Sequence, residues 1–142
     1  MRKEIAEQWV QALRSGQYKQ TTTRLKNAEG GCCCLGVLCT LAPKSVGEFN
    51  DLSFEWVETV VEDNDGEYPC EPHEVRRDHY EDSELPTPVM TWAGVSDSCG
   101  TIGNEFFRGR DGKEYQSLAE LNDSGMSFAE IADIIENNWK AL

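Results

Sequence analysis

Ile5, Trp9 and Leu13 recur one helical turn apart, and Ala6, Val10 and Ala12 widen the stripe. That spacing predicts an amphipathic helix over residues 3–15, closed by Gly16 in a left-handed turn. Residues 17–31 are polar; Thr21, Thr22 and Thr23 favour extended backbone, and Gly30 with Gly31 marks a turn. Residues 32–42, CCCLGVLCTLA, are apolar nearly all round and are stopped by Pro43. A helix without a polar face is a buried one, so this stretch is the predicted core helix. Gly36 within it costs helix propensity but lets another element approach closely.

Further along, Leu52, Phe54 and Trp56 alternate as in a strand, whereas residues 58–61 suit strand and helix equally. Residues 62–84 carry DNDG, two prolines and a second acidic cluster, and read as a long irregular loop. Thr87 as a cap, Pro88 at the first helical position and Gly94 as a stop predict a short helix presenting Val89, Trp92 and Ala93. Phe106 and Phe107, a turn at Asp111 and Gly112, and then Tyr115 predict a β-hairpin at about 105–116. Ser117 with Glu120, and Ser127 with Glu130, form two capping boxes, each opening a helix, and Met126 can staple onto Ile131. These elements add up to a single α+β domain, mostly helical, with a C-terminal helical pair. Trp9, Leu35, Leu38, Ile131 and Ile135 are its expected common core.

Charge changes this picture in one place. The chain has 142 residues, with 13 Lys or Arg against 26 Asp or Glu. Residues 48–84 hold 14 of the acids and only Arg76 and Arg77 as bases, so that segment carries −12 of the formal −13. It reads as an acidic insertion in a near-neutral body. It is either a solvated excursion or a surface that steers a basic partner. The clustered cations of a nucleic-acid binder are missing, so direct DNA reading is not expected, and the C-terminal helix pair has only Lys140 as a base. No apolar run nears the roughly 20 residues of a membrane span. The stretch MRKEIAEQWV has no apolar signal core.

The chemistry-bearing residues are few. Three successive helical cysteines point about 100° apart, so Cys32, Cys33 and Cys34 cannot share one metal ion. Cys70 and His73, with His79 and Cys99, are the alternative zinc set. Small buried hydrophobes are the plainer account of these thiols. A cysteine nucleophile would use Cys32 or Cys33, its thiol acidified at a helix start, with His73 or His79 as base. No nucleophile elbow, phosphate loop or dinucleotide fingerprint is present, and no cofactor or metal is expected. The most usable feature is the basic loop before the core helix. Tyr18, Lys19, Thr23, Arg24 and Lys26 precede Gly30 and Gly31, and backbone N–H groups at a helix start can hold an anion. Arg108 and Arg110 in the hairpin could join, from the same chain or across a homo-oligomer.

The strings WVQALRSGQYKQ, CCCLGVLCTLA, TWAG and SLAELNDSGMSFAEIADIIE resemble a family of small tailed-bacteriophage and prophage proteins, with residues 48–84 as a variable insertion. The resemblance implies a phage product in the host bacterial cytoplasm. By analogy with accessory phage proteins of this size, it implies antagonism of host defence. Two binding readings follow. A non-enzymatic sponge would sequester an anionic nucleotide messenger in the 18–31 loop. An acidic mimic of nucleic acid would instead block the basic surface of a host protein. A cysteine- or zinc-dependent enzyme is the third reading.

Overall fold

A computed structural model of the protein describes residues 1–61, 71–79 and 83–142. Helix α1 (Lys3–Arg14) buries the predicted stripe of Ile5, Trp9 and Leu13. It packs against α5 (Phe128–Asn138) and α2 (Cys34–Leu41). Arg14 clamps α1 to α5, donating to Asp133 and Glu136, each at 2.6 Å. Helix α2 lies in the core against α1, with Leu35, Val37 and Leu38 fully buried. The indole N–H of Trp9 donates to the Cys34 carbonyl at 2.9 Å, which ties α1 to the first turn of α2. Trp9, Leu35, Leu38, Ile131 and Ile135 all lie in one cluster, as their periodicity requires.

The core helix is shorter than the apolar run that announces it. Cys33, with extended backbone, is its N-cap, its thiol accepting from the Gly36 N–H, and Cys32 lies before the helix in isolated β-bridges to Gln20 and Lys26. The acidic segment is more ordered than its composition suggests. Strands β1 (Glu48–Asn50), β2 (Ser53–Val60) and β3 (His73–His79) form an antiparallel sheet in the order β1-β2-β3. The expected irregular loop over 62–84 therefore contains a seven-residue strand. Its sequence hides this because the arm that β2 and β3 form has water on both faces, so no apolar alternation is demanded of it. The ambiguity of residues 52–61 has the same origin. Phe54 is buried, and burial fades along β2 after Trp56. The predictions for 62–70 and 80–82 lie outside the described residues.

Helix α3 (Thr87–Ala93) ends at Gly94 in the left-handed region, as expected. Its N-cap, however, is Pro86; Thr87 is already helical and caps nothing. Strands β4 (Phe107–Arg108) and β5 (Glu114–Tyr115) form the predicted hairpin. Both serine caps of the C-terminal pair are made: Ser117 accepts from the Glu120 N–H before α4 (Leu118–Asp123), and Ser127 from the Glu130 N–H before α5. With five helices and two small antiparallel sheets, the fold is α+β, and helices are not the majority of the described residues. None of the described helices is long and apolar enough to cross a membrane.

Candidate functional site

The 18–31 loop is held by side chains from the other end of the chain. Asn122, fully buried on α4, accepts from Gln20 Nε2 at 3.0 Å and from the Cys34 N–H at 3.1 Å, and its own amide donates to the Thr21 carbonyl at 2.8 Å. The Thr23 N–H donates to Asp123 at 2.8 Å. The hairpin docks on the same turn, the Arg110 N–H donating to Ser124 at 3.1 Å. Residues 122–126 thus join the two basic segments singled out in the sequence.

The joined elements do not make the expected anion cradle. The Gly30 N–H donates to the Asn27 carbonyl, and the Gly31 N–H to Asn27 Oδ1 at 2.7 Å. Those of Cys32 and Cys33 donate to the carbonyls of Lys19 and Leu25. With Cys34 bound to Asn122, the donors around the start of α2 are spent inside the protein, beneath buried side chains. The cations are partly spent too. The Lys26 ammonium sits 5.3 Å from the Phe49 ring centroid, and Arg110 is paired with Glu130. Tyr18 is half-buried against the core. Lys19, Arg24 and Arg108 are exposed and make no ion pair among the described residues.

Thr23 does not extend the chain: its φ is +65°, a strained value for a β-branched residue. Thr23→Gly should therefore raise stability by about 0.5–1 kcal/mol, less what glycine gives back to the unfolded chain. Urea unfolding of the two proteins at equal m-value checks this; a loss of stability would mean the Thr23 side chain holds the loop.

The thiols behave as core groups. Cys33, expected to be acidified at the helix start, is pushed up to about 11, chiefly by burial. Burial likewise raises Cys32, Cys34 and Cys39. A helix dipole cannot offset the loss of solvation at these depths. Iodoacetamide at pH 8 should leave these four unmodified in the folded chain, and peptide mass spectrometry reads the result site by site. His79 faces the Glu84 carbonyl at 3.0 Å. No group of three metal-ligating side chains converges among the described residues, and Cys70 lies outside them.

A different site is present between the hairpin and α4. A cleft of about 460 Å³ is lined by Glu114, Glu120 and Asp123, with Phe106 and the half-buried Cys99 on its walls and no Lys or Arg among its described lining residues. Burial raises the Cys99 thiol, and the nearby carboxylates of Glu84, Asp97 and Glu120 raise it further. Phe106 is 61% exposed. From sequence, Glu120 reads only as a capping-box partner, and Glu114 and Phe106 only as hairpin residues. Their convergence depends on the hairpin docking at Ser124, which no local pattern reports.

Fold and surface together define an α+β domain that buries Cys32, Cys33, Cys34 and Cys39 in its core and gathers the carboxylates of Glu114, Glu120 and Asp123 in a cleft. Residues 1–139 match the family described as domain of unknown function DUF8296, and the chain belongs to that family. No curated protein and no solved structure matches it.

Proposed function

We propose that this protein is a non-catalytic binding protein that engages a basic partner through its acidic surface. The observation that carries this reading is the cleft lined by Glu114, Glu120 and Asp123, with an exposed aromatic ring and no cation among its described lining residues. A guanidinium entering it meets carboxylates that can accept paired hydrogen bonds and a ring face that attracts cations. The acids of β2 and β3 extend the same sign of potential outward and favour encounter with a basic surface. On the resemblance to small phage proteins, the partner would be a host protein of the bacterial cytoplasm, and blocking it would antagonise defence.

The test is titration calorimetry with an arginine-rich peptide at low and physiological salt. Glu114→Gln with Glu120→Gln should weaken binding by about 10-fold or more, since a hydrogen bond to a charged group contributes roughly 1.5–3 kcal/mol. The unfolding temperature should be unchanged. Binding indifferent to that double variant, or no binding, overturns the reading. The nucleotide-sponge reading would rest on Lys19, Arg24 and Arg108, exposed cations of the two basic segments that make no ion pair among the described residues. It takes over if a cyclic dinucleotide binds instead and Arg24→Ala weakens it.

A further inference from the structure

Strand β2 is covered along only part of its outer side. Strand β1 pairs with it at Glu48↔Glu55, Phe49↔Phe54 and Asn50↔Ser53, and the pairing stops there. The chain before β1 leaves the sheet at Gly47, where residues 43–47 turn back on the Pro43 carbonyl. A Cβ at Gly47 would lie 2.5 Å from the Phe54 ring, so the departing chain crosses the strand closely before it leaves. Beyond that point residues 56–60 have β3 on one side and no strand on the other among the described residues.

A groove of about 460 Å³ runs along this open edge, between β2 and α3. Trp56, Val57 and Glu58 all line it. One face of a strand offers only alternate residues, so three in a row show that the groove follows the edge. Val46, Pro88 and Trp92 form the opposite wall. Val57 is 58% exposed, and Val61, just past the strand, is 64% exposed. Proteins ordinarily cover or blunt such an edge, because unpaired N–H and C=O groups recruit another strand. Here α3 stands off and leaves a slot with two tryptophans in it.

We infer that residues 56–60 accept an extended, basic segment of a partner protein as a fourth strand, its alternate side chains seated against Trp56, Val57 and Trp92. Strand addition supplies main-chain hydrogen bonds, and the apolar wall supplies selection. The partner's charge follows from the arm. Its acids are Glu55, Glu58, Glu74 and Asp78, and its two cations, Arg76 and Arg77, are already paired with Glu55 and Glu58. A second copy of this chain is disfavoured, because twofold antiparallel pairing centred on residue 58 sets Glu58 against Glu58. The inference shares with the proposed function only the expectation of a basic partner, and it draws that sign from the arm and not from the cleft.

The probe is a nine-residue peptide of alternating valine and lysine, titrated into the ¹⁵N-labelled full chain. Expected are saturable shifts at residues 45–46, 56–60 and 87–92, and slowed amide exchange at 56–60. N-methylating alternate peptide bonds in the pairing register should abolish binding. Val57→Lys should weaken it at least 10-fold without moving the unfolding temperature. Equal binding of both N-methylated registers, equal binding of a valine–glutamate peptide, or shifts confined to the cleft would overturn the inference. So would absence of binding, or a dimer in sedimentation that Val57→Lys dissolves. Glu114→Gln with Glu120→Gln should leave this peptide's affinity intact while weakening the arginine-rich one, so failure at the edge and failure at the cleft are read separately.

Discussion

Gly36→Ala should destabilise the protein by about 3 kcal/mol. A Cβ at this position would lie 1.8 Å from the Leu25 carbonyl oxygen and 2.7 Å from its carbon. Main-chain atoms cannot swing aside as the tip of a side chain can. Overpacking alone costs roughly 1–3 kcal/mol, occasionally more. The same carbonyl accepts the Cys33 N–H at 3.3 Å, and Leu25 and Cys33 are both buried. Pushing the loop away leaves that donor unpaired, which adds about 1–3 kcal/mol. Alanine returns about 1 kcal/mol through helix propensity. Denaturant unfolding with both proteins at equal m-value measures the difference. A change under about 0.5 kcal/mol would mean that residues 24–26 slide freely over α2, and the loop would lose its role in placing Lys26 against Phe49.

The same contact shows what a sequence can carry. Gly36 stands out in an apolar helix, and close approach by another element is the natural reading; that the visitor is the Leu25 carbonyl is a fact about a loop without periodicity. Helices α1 and α5 are legible because each has one wet face and one dry face, so the pattern of Ile5, Trp9 and Leu13, or Ile131 and Ile135, records the environment directly. Strand β3 is illegible for the opposite reason. With water on both sides, its charged sequence records solvent and not secondary structure, and only β2 across the ladder specifies it. The anion cradle fails through competition. Glycines ahead of a helix do offer N–H donors, but Asn27, Lys19, Leu25 and Asn122 lie close enough to take them first. The acidic cleft needs the hairpin seated on Ser124, a contact between residues 110 and 124 that neither segment announces.

Asn122 joins the 18–31 loop and the start of α2 to α4 through its bonds with Gln20, Thr21 and Cys34, and Asn122→Ala should cost about 4 kcal/mol. Truncation leaves the Cys34 N–H and the Thr21 carbonyl without their partner, while Gln20 keeps its bond to the Met126 carbonyl at 2.7 Å. Two unsatisfied groups at roughly 1–3 kcal/mol each set the figure. Asn122→Asp separates hydrogen bonding from simple volume. The carboxylate still accepts from Gln20 and Cys34, but it cannot donate to Thr21, and a buried charge is penalised. Burial raises the introduced carboxyl's pKa above its unfolded value of about 3.9. The folded variant therefore holds a proton that the unfolded chain has released, and its stability falls as pH rises from about 4 through the folded-state pKa. Measured as the difference from the parent at each pH, the deficit should be smallest near pH 4 and largest near pH 7. Protonated, the side chain can donate to Thr21 again. A deficit flat across that range would mean that solvent reaches Asn122 and that the junction of loop, core helix and α4 is open to water.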